Sequence, residues 1–394
     1  MSKANAHLKG ANLQVVGLFA GIGGIERGLS QAGHQTQLLC EIDPSARRVL
    51  EHRFADLELA EDVRTLKGIP GADLLTAGFP CQDLSQAGRT AGISGDQSGL
   101  VGEVFRLLGP SGGPTWLLLE NVPFMLSLDR GRAMRFLVDS LEELGYNWAY
   151  RVVDAMNFGL PQRRRRVLLL ASRTEDPREV LFSQDAGQPA YRHPDDAACG
   201  FYWTEGQRGL GWAVDAVPTL KGGSTIGIAS PPGIWYPDTG HIATPDIRDA
   251  ERLQGFPADW TVRANSGEQR ARTNRWKLVG NAVSVPVARW LGHSLREPQR
   301  FEGTSTALEA GSPWPAAAWG KDGQAWRVDI SMWPVRRKRL HLREFLNFPT
   351  VPLSARAARG FLSRAEAGSL RFPPGFLEDV GAHLEIMSDG VAAA

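Results

Sequence analysis

The sequence predicts an α/β protein built on a Rossmann-like, largely parallel sheet. Three observations predict it. Short apolar runs alternate with helix-patterned stretches from the N-terminus onward. The first run opens into a glycine turn, "LFAGIGG" (18–24). Acidic or reactive residues then stand at the ends of successive runs, at Glu41, Asp62, Cys81 and Glu120. Repeated strand–helix units build a doubly wound sheet that binds ligands at the carboxyl ends of its strands.

Composition sets the outer bounds. A chain of 394 residues exceeds one minimal core and implies about two to three domains. Lysine plus arginine number 44 against 43 acids, a formal net charge of +1, so the whole-molecule balance announces no polyanionic partner. Locally, "PQRRRRV" (161–167) and "PVRRKRL" (334–340) concentrate positive charge, either as solvated faces or as binding patches. No apolar run approaches the roughly 18 residues of a membrane span. The N-terminus lacks a signal-peptide core, so a cytoplasmic protein that does not engage a membrane is expected. Three cysteines without a CxxC pair make neither a disulfide framework nor a zinc site, and no metal is expected. Cys40 and Cys199 read as small buried hydrophobes. Cys81 differs, because it sits between proline and glutamine in a loop of small residues.

In chain order, "LQVVGLFAGIGGIERGLSQAGH" (13–34) reads as strand, glycine turn and helix, with Ile25 and Leu29 on one helix face. "TQLLCEID" (36–43) is the next strand, ending in an acid about 20 residues after the turn, where a Rossmann-like unit holds ribose hydroxyls. The spacing departs from the dinucleotide fingerprint, so any nucleoside cofactor fits and a nicotinamide is not favoured. Asp62 ends a third strand, and "ADLLTAG" leads into "GFPCQDLS" (78–85). "PTWLLLENV" (114–122) ends in Glu120, which reads either as a helix cap or as a pocket acid. "QRRRR" (162–166) immediately precedes the strand "VLLLAS", which places its arginines at the sheet rather than in a tail. A thiol, a carboxylic acid and guanidinium groups gathered at strand ends suit nucleophilic catalysis, since positive charge favours the thiolate.

Together these segments resemble the bacterial DNA cytosine-5 methyltransferases. The match runs in order through "LFAGIGG", "EIDPSA", "GFPCQDLS", "ENV", "QRRRR", "ERLQGFP" (251–257) and "GNAVSVPVA" (280–288), across roughly residues 13–295. The resemblance implies a class I S-adenosylmethionine-dependent methyltransferase fold. It carries a small, mostly irregular or β target-recognition domain and a C-terminal extension. Cys81 then attacks C6 of a cytosine flipped from duplex DNA, Glu120 engages N3 and the exocyclic amine, Arg166 contacts the base carbonyl, and Arg164 positions the site. S-adenosylmethionine lies against Phe19, Gly21, Gly23 and Gly24. Glu41 takes its ribose hydroxyls, Asp62 approaches the adenine amine, and Asn281 closes the pocket. The resemblance places Gln82, Ser85, Gln162, Thr219 and Lys221 against DNA, the last two from "PTLKGG". Gln97 stands where the family commonly carries an arginine.

Three regions are expected: a catalytic domain over 1–171 onto which 262–298 folds back, a target-recognition domain over 172–261, and an accessory extension over 299–394. The last opens with a linker-like stretch, 303–320. It continues with arginines interleaved with aromatics, read either as a DNA-contacting module or as an appendage packed on the core. The protein is expected to act as a monomer, and the resemblance admits a cognate restriction endonuclease as partner. A tRNA methyltransferase on the same fold, a catalytically silent DNA-binding regulator and a nicotinamide oxidoreductase stay open from the residues alone.

Overall fold

The computed structural model describes residues 10–69, 71–79, 99–109, 113–222, 229–265 and 271–392. Cys81, Gln82, Ser85 and Gln97 lie outside the described residues. The chain forms two compact units: Met1–Asp154, Arg165–Pro189 and Val283–Arg336 make the first, and Ala155–Arg164, Ala190–Ala282 and Arg337–Ala394 the second.

The first unit is organised by one sheet of ten strands. They are β1 (Gln14–Leu18), β2 (Gln35–Cys40), β3 (Glu58–Ala60), β4 (Leu74–Ala77), β5 (Trp116–Asn121), β6 (Asn147–Asp154), β7 (Arg165–Ser172), β8 (Ser305–Ala307), β9 (Ala317–Lys321) and β10 (Gln324–Val328). Their spatial order is β3-β2-β1-β4-β5-β7-β6-β9-β10-β8. The first five are parallel, and β7 runs antiparallel to both β5 and β6. The chain winds from β1 outward through β2 to β3, then returns to β4 on the other side. That reversal makes the carboxyl ends of β1 and β4 the switch point at which such sheets bind ligands. All four residues of β4 and all six of β5 are buried, as expected of parallel strands covered on both faces.

Helix α1 (Gly24–Gln31) follows β1, and α2 (Val285–Arg296) lies against it. The contact is close because Gly28 has no side chain: a Cβ there would stand 2.5 Å from that of Ala288 and 2.7 Å from the Val285 carbonyl oxygen. The fold-back of the late segment onto the N-terminal half is therefore visible for 285–296, whereas 262–282 belongs to the second unit.

The extension beyond residue 298 is divided rather than single. Residues 299–336 belong to the first unit, and 337–394 to the second. The linker-like 303–320 contains two strands, β8 and β9, and β9 pairs antiparallel with β6 and continues the sheet. β9 forms because β6 offers it an open edge, and β8 pairs in turn with β10, so tertiary pairing decides over local preference. Trp314 packs edge-on against Trp148 and Tyr150, and the Tyr150 hydroxyl donates to the Pro315 carbonyl at 2.8 Å.

The second unit holds an antiparallel five-stranded sheet ordered Ala213–Val214, Cys199–Phe201, Gly233–Tyr236, His241–Thr244 and Val351–Pro352. Its edge strand comes from the C-terminal segment, as do helices α3 (Ala355–Glu366) and α4 (Phe376–Ala392). Phe201, Trp235 and Ile242 share one core with Ala358, Phe361, Phe376 and Val380. Buried Asp215 fastens the segment: it accepts from the Leu342 amide at 2.8 Å and meets the Arg339 guanidinium and His341 Nδ1, each at 2.9 Å.

Candidate active site

The carboxyl end of β1 turns sharply. Phe19 adopts φ +53°, rare for a residue with a side chain, and Gly23 at φ +78° caps the start of α1. A side-chain-bearing residue there is held by its surroundings rather than by its own preference. Glu41, just past β2, ties the turn together. Its Oε2 accepts from the Gly21 amide at 2.7 Å and its Oε1 from the Asp43 amide at 2.8 Å. Burial raises the Glu41 carboxyl above its ordinary range, against these two hydrogen bonds. Phe19, Gly21, Gly23, Gly24 and Glu41 therefore form one constellation. Asp62, beyond β3, is engaged by Arg64, whose guanidinium reaches its two oxygens at 2.9 and 2.6 Å and holds its carboxyl below the usual range. Asn281 is exposed at the end of helix Ala271–Asn281 in the second unit, where a Cβ on Gly222 would run into its side chain.

The second half of the first unit's site is built by strand register. Glu120 on β5 stands opposite Leu168 on β7, so Arg166, two residues earlier on β7, lies diagonally across the same face. Arg166 Nε is 2.9 Å from Glu120 Oε1, and both side chains are largely buried. Burial pushes the Arg166 guanidinium down from its ordinary pKa, and Glu120 opposes that shift. Gly78, at the end of β4, completes the wall: a Cβ there would stand 3.9 Å from Glu120 Oε2. Asn121, which the sequence reading passed over, donates from Nδ2 to the Phe79 carbonyl at 3.1 Å. It thus anchors Phe79, two residues before Cys81. Phe79 packs edge-on against Phe19, linking the acid–arginine pair to the glycine turn. The clue to Asn121 was its place directly after the acid, since an amide there can hold two backbone groups at once.

The run "QRRRR" alternates as an extended segment must. Gln162, Arg164 and Arg166 turn inward, while Arg163 and Arg165 are exposed. Gln162 has no exposed surface. Its Nε2 donates to the Leu253 carbonyl at 2.8 Å, and its Oε1 accepts from the Leu220 amide at 3.0 Å. It therefore braces the second unit. Arg164 is 2% exposed and donates to the carbonyls of Leu220, Gly280 and Ala282, the last at 2.6 Å. It positions "LK" and "GNA" backbone, and its donors are turned away from solvent. The Thr219 hydroxyl donates to the Arg163 carbonyl at 2.8 Å. Lys221 pairs with Glu205 and lies 3.9 Å from the centre of the Tyr202 ring.

A doubly wound sheet with a strained glycine turn, an anchored ribose-range acid and a buried carboxylate–guanidinium pair at strand ends defines the Rossmann-like methyltransferase class. The family model for C-5 cytosine-specific DNA methylases matches residues 13–200. The Type II methyltransferase M2.BsuMI of Bacillus subtilis (strain 168) is 50% identical over 366 residues, covering 90% of this chain and 93% of its own. The Type II methyltransferase M.BsuFI of Bacillus subtilis is 30% identical, covering 73% and 74%. In three dimensions the Entamoeba histolytica methyltransferase EhMeth matches with a TM-score of 0.51 at 14% identity, covering 72% of this chain and 98% of its own. The S. pombe Dnmt2 methyltransferase matches at 0.50 and 18%, with the same coverage. The chain belongs to the C-5 cytosine-specific DNA methylase family and is a DNA cytosine-5 methyltransferase. Among the described residues, no helix is long and apolar enough to cross a membrane and no cluster of three metal-ligating side chains occurs.

Proposed function

We propose that the enzyme methylates a flipped cytosine through a covalent Cys81–C6 adduct, with Glu120 and Arg166 holding the base and S-adenosylmethionine seated at the β1 turn. The cofactor fits the residues present. A Cβ on Gly21 would meet nothing within 4 Å, so the turn leaves open space beside the Glu41 carboxylate. Ile42, 57% exposed, offers an apolar surface next to that acid. Bound there, S-adenosylmethionine supplies an electrophilic methyl group.

The chain's residues do the rest. The Cys81 thiolate adds to C6, and the ring electrons move toward C5. Glu120 engages N3 and the exocyclic amine and stabilises the adduct. Arg166 keeps the carboxyl aimed and donates to the base carbonyl. Once C5 carries the methyl group, its proton leaves to solvent, and the thiolate departs from C6 to restore the aromatic ring. A thiolate serves because it both attacks and leaves well. Flipping is required because attack on C6 comes perpendicular to the ring, a path that stacked neighbours close. Arg164 is a positioning residue for the backbone of Leu220, Gly280 and Ala282.

The observation that carries this reading is the 2.9 Å Glu120–Arg166 pair, walled by the segment that leads to Cys81. Duplex DNA containing 5-fluorocytosine at the target tests it, since fluorine cannot leave as a proton does. The complex should resist denaturation, and Cys81→Ser should abolish it while DNA binding persists. A trap that survives this substitution overturns the assignment. The Type II relatives support a place beside a restriction endonuclease, which bisulfite mapping of the methylated site and cleavage of unmethylated host DNA would examine.

A further inference from the structure

Alongside α3 in the second unit runs a groove of about 720 Å³ that the reaction above does not use. Trp203, Pro231 and Leu353 supply its apolar lining, and Ser354 closes one end. Arg356, Gly360 and Arg364 line it at successive i, i+4 positions, hence from one helix face. The opposite side of α3, through Ala358, Phe361 and Ala365, is in the core, so the groove face is held rigidly.

The charges of this unit are distributed unevenly. In the basic run after residue 336, Arg339 pairs with buried Asp215, and Arg343 pairs with Asp238 at the surface. Lys221 is taken by Glu205. At the groove the opposite holds. Arg364 donates to the Trp203 carbonyl at 2.6 Å and to the Glu205 carbonyl at 3.1 Å, contacts that orient the guanidinium and leave its net charge intact. Gly360 makes room for it, since a Cβ there would stand 3.3 Å from Arg364 Nη1. Arg356 and Arg359 are exposed, and among the described residues neither forms an ion pair. The helix carries Glu366 as its single acid.

We propose that this groove receives the sugar–phosphate backbone of the DNA substrate, with Arg356 and Arg364 as its cationic contacts. The C-terminal residues are then part of the DNA-reading unit and not an appendage to it. Two guanidinium groups about 12 Å apart along a rigid helix wall suit phosphates two apart on one strand, and the apolar lining suits the deoxyribose faces between them. Phosphate contacts of this kind set the register of a protein on a duplex while base contacts supply sequence. The proposal rests on duplex DNA being the substrate.

The test uses the full-length enzyme and a 30-bp duplex carrying the methylated site found by bisulfite mapping. Arg356→Gln should weaken binding and lower the slope of log K against log salt by about 0.9, the signature of one lost phosphate contact. Gly360→Leu fills the groove without altering charge, and should weaken binding while the thermal midpoint stays within a few degrees of wild type. Unchanged affinity and salt slope in both folded variants would overturn the proposal. So would a change confined to sedimentation mass, which would mark the groove as a protein-docking surface. Failure of the underlying function would show separately, as absence of the 5-fluorocytosine trap in the unaltered enzyme.

Discussion

Glu26 is a buried carboxyl that the chemistry does not use, and its cost can be measured. It lies on α1, 1% exposed, with Thr76 donating to its Oε1 at 3.2 Å. Its Oε2 is buried without a hydrogen-bond partner, and a side chain on Gly17 of β1 would overlap the carboxylate. Desolvation dominates and raises its pKa from 4.5 to about 7. At roughly 1.4 kcal/mol per pH unit, that rise corresponds to about 3 kcal/mol. The sign follows from proton counting: between pH 4.5 and 7 the folded protein holds a proton that the unfolded chain has released. Stability associated with neutral Glu26 is therefore fully present below pH 4.5 and lost as pH climbs through 7. Glu26→Gln removes the titration while keeping size and the acceptor for Thr76. Urea or thermal unfolding of both proteins from pH 5 to pH 8 should show near-equal stability at pH 5. The variant should gain about 2–3 kcal/mol by pH 8. A difference between the two that does not vary with pH would refute the reasoning, because it would mean that Glu26 does not titrate in this range.

Three further outcomes follow from the same structure. Gly28→Ala should destabilise by about 1–2 kcal/mol, because overpacking against Ala288 and Val285 backbone outweighs the roughly 1 kcal/mol gained in helix preference; a rise in melting temperature would count against the close α1–α2 contact. Glu120→Gln should lower single-turnover methylation by about 10²–10⁴-fold and DNA affinity far less, since an amide can donate but supplies no ionisable proton; near wild-type turnover would leave Glu120 a structural role as the partner of Arg166. Asp215→Ala should strip Arg339, His341 and the Leu342 amide of their shared acceptor and cost about 3 kcal/mol, as for a broken buried pair. Limited proteolysis should then cut near residues 337–342 sooner than in wild type, and an unchanged pattern would show that the segment is held elsewhere.

Much of the first unit is legible because its physics is local. Buried parallel strands must be apolar on both faces, so Leu74–Ala77 and Trp116–Leu119 announce themselves. The glycine turn and the acids that follow each strand sit within a few residues of those strands. What stayed hidden depends on partners distant in sequence. β9 exists because β6 presents an edge more than 150 residues earlier, and β8 because β10 then extends that sheet. Charge counting left 334–340 as either a solvated face or a binding patch, because the acids that pair with Arg339 and Arg343 lie more than 100 residues away. Arg64 was the one near signal left unused, since an arginine two residues after Asp62 can fold back on it.

The run "QRRRR" shows how one motif can carry several roles without extra sequence. An extended chain turns alternate side chains to the same side, so five residues present three inward groups at fixed spacing. Gln162 and Arg164 use theirs on backbone of the second unit: Leu220, Leu253, Gly280 and Ala282. Arg166, two residues on, already belongs to β7 and meets Glu120. The same short stretch thus ends one unit's bracing and begins the other's chemistry. Neither Lys nor Gln would replace Arg164 without loss, because only a guanidinium reaches three carbonyls from one planar group. Counting the arginines in this run suggests a polyanion patch, while their alternation assigns two of the four to solvent and two to the interior.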